Sequence, residues 1–285
     1  MTTVAFLGTG SMNGAIASGL LAGGADPATL RATVGSVASV EPLKKKLGER
    51  GSEVLVLANE TEPEANLRAV QGADLVLLGV KPYAILDLAR QIAPVLDPST
   101  LVVSVAAGIT LDALTAALPE GQPVIRCMPN TPSRVGKGVL AISVGASVSA
   151  SQQEVAANIL AAAGQVFEVG EEQMGAVTAV SGSGPAYAFL LAETMAAAGV
   201  KLGLDEQTAT ALAAATVAGA GYLLEADPDP ESLRQAVTSP KGTTDRAIRT
   251  FTEGGLFELT EAAMRACVQR NDEMTAEFCG GSKDH

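Results

Sequence analysis

The sequence predicts an α/β fold in two parts. An N-terminal domain over residues 1–170 is built on a doubly wound, mostly parallel sheet, and an all-helical domain fills residues 171–285. Three observations carry this. Short β-rich runs alternate with helical segments through the first 170 residues. Runs such as Leu75-Val76-Leu77-Leu78 are apolar without alternation, as strands covered on both faces are. After residue 170 the pattern is helical throughout.

Strands are expected at 4–8, 33–35, 54–56, 75–80, 101–105, 123–128, 139–143 and 166–169, with helices between them at 12–22, 40–50, 62–70, 83–92, 110–117 and 150–163. The second half reads as helices at 173–198, 205–226, 230–237, 243–254 and 257–278. Asp205 is placed to cap the second of these, with Glu206 in its first turn. Ala, Gly and Thr dominate this half. It lacks the large aliphatic residues of an independent core, so part of its apolar surface is expected against another subunit. Residues 173–192 and 207–224 carry no charge. A Ser-Gly-Ser-Gly-Pro break in the first, and the weak apolarity of Ala, Thr and Gly in the second, favour buried helices over membrane spans.

Composition narrows the function. Lys plus Arg total 19 against 31 Asp plus Glu, a net charge of −12. Such a surface repels nucleic-acid phosphate and anionic membrane. Aromatics are 3% and Trp is absent, which disfavours a base-stacking platform. The one histidine is His285, so a Ser-His-Asp or Cys-His mechanism has no internal imidazole. A histidine-ligated metal lacks one too, and no metal site is expected. The three cysteines, Cys127, Cys267 and Cys279, form no C-x-x-C and read as reduced thiols of a cytoplasmic protein. Met1-Thr2-Thr3-Val4 has no basic leader pattern.

The first strand runs into Gly8-Thr9-Gly10-Ser11-Met12-Asn13-Gly14. Glycines at 8 and 10 allow a tight turn and close approach of a pyrophosphate, and the helix that follows offers its N-terminal N–H groups. The strand-turn-helix context makes this a Rossmann-type dinucleotide site. An acid usually meets the ribose 2′-hydroxyl of NAD after the second strand. Here Thr33-Val34-Gly35-Ser36-Val37-Ala38-Ser39-Val40 has none before Glu41. Ser36 and Ser39 are suited to a 2′-phosphate, with charge from Lys44 or Lys45, so NADP(H) is the expected cofactor and NAD(H) also acceptable. Val80, Lys81 and Pro82 end the fourth strand, Ala106 and Ala107 follow the fifth, and Asn130 and Thr131 follow the sixth. All stand at the strand ends where the crevice forms. In the helical half, Ser181-Gly182-Ser183-Gly184-Pro185 and Ser239-Pro240-Lys241-Gly242-Thr243-Thr244 are Gly/Ser-rich turns ahead of helices, suited to a carboxylate or to simple capping.

Together these segments resemble the pyrroline-5-carboxylate reductase family over nearly the whole chain, residues 4 to about 277. Val80-Lys81-Pro82, Ala106-Ala107-Gly108-Ile109, Arg126-Cys127-Met128-Pro129-Asn130-Thr131-Pro132, the 179–187 segment and the 239–244 segment carry the likeness. Two departures stand out. Asn13 replaces a glycine of the phosphate turn, and Lys241 replaces the first glycine of a Ser-Pro-Gly-Gly-Thr loop. The resemblance implies hydride transfer from NAD(P)H to the C=N carbon of 1-pyrroline-5-carboxylate, giving L-proline. It implies substrate carboxylate binding by backbone N–H groups around Ser239, Gly242 and Thr243, and a catalytic hydrogen bond from Thr244 to the ring nitrogen. It implies cofactor contacts from Asn59 besides the residues above. It further implies a homodimer with a cleft shared between subunits, often assembled into decamers. Two alternatives share features. A β-hydroxyacid dehydrogenase would need a lysine within 175–187, which holds none. A non-catalytic NADP(H) sensor would bind NADPH and oxidise none.

Overall fold

The computed structural model describes residues 2–280; His285 lies outside them. All eight expected strands form: β1 (Val4–Leu7), β2 (Leu30–Val34), β3 (Leu55–Ala58), β4 (Leu75–Leu78), β5 (Leu101–Ser104), β6 (Val124–Pro129), β7 (Gly138–Val144) and β8 (Gly164–Glu168). They make one sheet in the order β3-β2-β1-β4-β5-β6-β7-β8. Every pair is parallel except β6 with β7.

Both sheet faces are covered, which explains the unbroken apolar runs. Phe6, Leu77 and Val103 point to one face and pack with Ile16, Leu43 and Ile159. Their neighbours Leu7, Leu78 and Val102 point to the other and pack with Ala65, Ile85 and Leu114. The covering helices are α1 (Ser11–Ala22), α2 (Val40–Lys46), α3 (Ala65–Val70), α4 (Ile85–Ile92), α5 (Leu111–Ala117) and α6 (Ala150–Ala161). α2 stops earlier than the expected 40–50 span, because Gly48 turns at φ +88° into a 3₁₀ segment at Glu49–Glu53. A capping box of Ser149 and Gln152 opens α6.

The helical part holds α7 (Met174–Val177), α8 (Gly184–Lys201), α9 (Glu206–Ala226), α10 (Pro230–Ala236), α11 (Thr243–Glu253) and α12 (Leu256–Cys279). The helix expected over 173–198 is broken. A π turn at Thr178–Gly182 separates α7 from α8, which restarts with Pro185 in its first turn. Asp205 caps α9 as expected, accepting the Thr208 N–H at 3.0 Å. That hydrogen bond holds the Asp205 carboxyl below its usual range.

The chain divides into two compact units, residues through Gly182 with those from Cys267 onward, and Ser183–Ala266. This differs from a cut at 170. The π turn still belongs to the first unit, because Asn130 Nδ2 donates to the Ser181 carbonyl at 3.0 Å. The end of α12 belongs there too. Phe278 and Cys279 pack on the sheet's second face, and Cys279 Sγ donates to the Gly108 carbonyl at 3.4 Å.

An ion pair ties β6 to the segment after β8. The Arg126 side chain is 4% exposed and donates to Glu171 Oε1 at 2.6 Å, and the same oxygen accepts the Leu111 N–H at 3.2 Å. Removing one partner of a buried pair strands the other charge, at about 3–5 kcal/mol. Glu171 is one-third exposed, which discounts the figure. Arg126→Met is expected to lose about 2–3 kcal/mol in a denaturant melt. A loss under 0.5 kcal/mol would show that water relieves Glu171 fully.

Candidate active site

A cleft of about 590 Å³ lies along the carboxyl ends of the central strands of the first unit. β1 is flanked by β2 and β4, so successive crossovers leave in opposite directions there, and the crevice falls at this switch point. Gly8, Thr9, Gly10 and Ser11 form its floor. Gly8 sits at φ +70°, and a Cβ there would come within 2.4 Å of Val80 Cγ1. Only glycine meets both demands. Thr9 turns inward, its hydroxyl donating to the Phe6 carbonyl at 2.9 Å. α1 then starts from Gly10 without a side-chain cap. Its first N–H groups, including those of Ser11 and Met12, have no acceptor within the helix. An uncapped twelve-residue helix aimed at a glycine turn fits a dinucleotide pyrophosphate.

The Asn13 side chain has a different place from the one the sequence suggests. It is 1% exposed, and its Nδ2 donates to the Leu7 and Leu77 carbonyls, each at 3.2 Å. It faces the strands and leaves only its backbone N–H toward the turn.

The rest of the cleft wall comes from Val80, Lys81 and Pro82 after β4 and from Ala106 and Ala107 after β5. Tyr83 also lines it, 73% exposed, a residue that sequence reasoning missed although it directly follows Lys81-Pro82. Ser39 lines the other end, with Ser36 Oγ 2.9 Å from Ser39 Oγ. Asn59 follows β3; its N–H donates to the Val34 carbonyl at 2.9 Å, and its buried Oδ1 has no protein partner. Asn130 does not line the cleft. Its amide serves the backbone instead, with Oδ1 accepting the Val139 N–H at 2.9 Å while Nδ2 reaches Ser181.

Positive charge near the turn comes from a lysine other than the two expected. Lys44 is paired with Glu41 at 3.4 Å. Lys46 Nζ instead donates to the carbonyls of Gly10 and Ser11 at 3.3 and 3.2 Å. Burial, with a smaller push from Arg134, holds this ammonium below the usual lysine range. Burial also pushes the Cys127 thiol far up, so it stays an inert thiol. Among the described residues no group of three or more His, Cys, Asp or Glu side chains is placed to hold a metal.

The 239–244 loop belongs to the second unit. The Gly242 N–H donates to the Ser239 carbonyl at 2.9 Å, and the Lys241 N–H to Asp245 Oδ2 at 3.2 Å. Gly242 is therefore not a free donor as expected. α11 begins after Gly242 without a side-chain cap. The N–H groups of Thr243 and Thr244 lie in its open first turn, beside the half-buried Thr244 hydroxyl. Such an end binds a carboxylate.

This sheet, glycine turn and cleft define the class of nicotinamide-dinucleotide oxidoreductases. Comparison with known proteins agrees and narrows it. Residues 3–108 match the family described as NADP oxidoreductase coenzyme F420-dependent, and residues 171–274 match pyrroline-5-carboxylate reductase dimerisation. The chain is 42% identical over 277 residues to the pyrroline-5-carboxylate reductase of Pseudomonas aeruginosa, covering 96% of this chain and 97% of that protein. The solved structure of a pyrroline-5-carboxylate reductase from Coxiella burnetii superposes with a TM-score of 0.88 at 35% identity, covering 96% and 98% of the two chains. That of Plasmodium falciparum pyrroline carboxylate reductase, described with NADP bound, has a TM-score of 0.79 at 23% identity over 96% and 98%, a likeness of fold. The chain belongs to the pyrroline-5-carboxylate reductase family.

Lys241, where the sequence departs from the family loop, sits at φ +61°. A left-handed non-glycine residue costs roughly 1–2 kcal/mol, and glycine returns part of that gain as unfolded-chain entropy. Lys241→Gly is expected to stabilise by about 0.5–1 kcal/mol, a rise of a few degrees in melting temperature at fixed protein concentration. Lys241→Ala keeps the strain and serves as the control. Equal melting of all three proteins would show that the loop relaxes freely.

Proposed function

We propose that the chain reduces 1-pyrroline-5-carboxylate to L-proline, the last step of proline biosynthesis. The observation that carries this is the uncapped α11 N-terminus beside Thr244, in a chain whose other unit holds a dinucleotide cleft. Bound NAD(P)H supplies a hydride to the C=N carbon. The C=N electron pair then falls to the ring nitrogen, which retains or gains a proton to become the secondary amine. The Thr243 and Thr244 N–H groups hold the carboxylate, with Ser239 and Gly242 shaping the loop. The Thr244 hydroxyl bonds the ring nitrogen and passes its proton to and from water. Gly8, Thr9, Gly10, Ser11 and Met12 hold the pyrophosphate. Ser36 and Asn59 serve the adenosine end, and Lys81, Pro82, Ala106 and Ala107 the nicotinamide end. NADPH is used, with NADH also accepted. The unit is a homodimer assembling further toward a decamer, in the cytoplasm.

The reading is tested by following NADPH and NADH oxidation with pyrroline-5-carboxylate and, separately, with a 3-oxo acid. Oxidation with the imine, with proline formed in equal amount, is the expected result. Oxidation with the 3-oxo acid alone, or with neither, overturns it.

Thr244→Ala removes a hydrogen bond that tightens as the nitrogen gains its pair. kcat/KM for the imine is expected to fall on the order of 10- to 10³-fold, about 1.4–4 kcal/mol, with cofactor binding unchanged. A lower melting temperature with wild-type turnover would instead make Thr244 a helix-start residue only, worth about 1 kcal/mol of stability.

A further inference from the structure

The loop after β2 carries a contact that no spacing in the sequence announces. β2 and β3 are parallel, with Val34 beside Ala58. The ladder continues past both strands: the Asn59 N–H donates to the Val34 carbonyl at 2.9 Å and the Glu60 N–H to the Gly35 carbonyl at 3.1 Å. This register delivers the Glu60 carboxylate to the loop, where Oε2 accepts the Val37 N–H at 2.8 Å. Val37 opens a 3₁₀ turn, Val37–Ser39, whose N-cap residue Ser36 makes no capping bond of its own. Glu60 supplies it from the neighbouring strand.

In a doubly wound sheet this loop faces the adenosine ribose. An acid there accepts from the ribose hydroxyls, and a basic side chain takes a 2′-phosphate. Two of the three lysines of α2 are engaged, Lys44 with Glu41 and Lys46 with the Gly10 and Ser11 carbonyls, and the third, Lys45, is exposed. The charge placed directly on the Ser36–Val37 backbone is negative. It also takes a backbone donor beside Ser36, the Val37 N–H.

We infer that Glu60 is a specificity-determining residue of the dinucleotide site. Its carboxylate stands in for the acid missing after β2, supports the ribose of NADH, and opposes the 2′-phosphate of NADPH. It limits the preference that the Ser36 and Ser39 hydroxyls give to NADPH. This rests on the dinucleotide cleft and not on the substrate loop.

The test is calorimetric and needs no turnover. ADP-ribose and its 2′-phosphate are titrated into the full-length wild type, Glu60→Gln and Glu60→Ala. Glu60→Gln keeps an acceptor for Val37 and removes the charge. It is expected to tighten the 2′-phosphate ligand about 10-fold and to weaken ADP-ribose about 3-fold at low ionic strength, a shift of roughly 30-fold in the ratio, as removal of one adjacent like charge gives. Glu60→Ala should tighten the 2′-phosphate similarly and weaken ADP-ribose further. Wild-type binding with a ratio that moves less than 2-fold in both variants, or moves the other way, overturns the role of Glu60 and leaves the cleft standing. A wild type that binds neither ligand overturns the cleft and the inference together.

Discussion

The Asn13 amide fastens the nucleotide end of the fold. The crevice exists because β1 and β4, neighbours in the sheet, send their connections to opposite sides. Their carbonyl ends must then be held in one plane with α1 above them. Asn13 does this from the first turn of α1, bonding Leu7 of β1 and Leu77 of β4 at once. Dinucleotide turns commonly place a glycine on the helix so that helix and strand can close. Here the small residue is on the strand side: a Cβ on Gly79 would lie 2.4 Å from Asn13 Nδ2. In this chain a polar clamp at 13 is thus matched by the glycine at 79, which leaves room for it. With the clamp set, Gly8 can hold its left-handed turn against Val80, and the open end of α1 faces the cleft.

The second unit obeys another constraint. No residue of α8, α10 or α11 is buried in the single chain, and α9 buries only Ala209 and Ala213. Phe189, Leu202, Tyr222 and Phe257 are each about two-thirds exposed or more. α9 is long and apolar enough to cross a membrane by length and composition alone. The dimerisation family spans it, however, and apolar helix faces of this size are what an obligate subunit interface covers. The protein is therefore an oligomer.

The central strands 4–7, 75–78 and 101–104 were legible because burial on both faces demands continuous β-branched and Leu runs, and the parallel order follows from strand–helix alternation. The turn at Gly8–Gly10 was legible because its chemistry is local. What escaped depends on register or on distant contacts. Glu60 reaches Val37 only because β2 and β3 align at Val34 and Ala58. Asn130 looked like a rim residue, yet its amide is claimed by Ser181 and Val139, the first 51 residues away. The break between α7 and α8 falls at the Ser-Gly-Ser-Gly-Pro run that the sequence marks, although a helix is expected across 173–198; that the turn before it is a π turn, at 178–182, no residue pattern announces. The return of Cys279 to Gly108 joins residues 171 apart, beyond any periodicity.

A chain with no internal histidine is suited to this reaction for a reason of magnitudes. A positioned proton donor contributes on the order of 10²–10⁴ in rate, about 3–5 kcal/mol. Fixing two reactants in line contributes roughly 7–11 kcal/mol. A protonated imine is already electrophilic, so positioning outweighs acid catalysis. On the proposed reading, both reactants are then best held by helix ends, whose donors are set by the backbone. The uncapped starts of α1 and α11 are two such ends. The second is reached through a loop that keeps Lys241 left-handed and ties its N–H to Asp245 and the next N–H to Ser239. Those two internal bonds withdraw donors that would otherwise compete for the carboxylate. On the proposed reading they leave the first-turn N–H groups for the carboxylate and the Thr244 hydroxyl for the ring nitrogen, in an orientation set by the backbone.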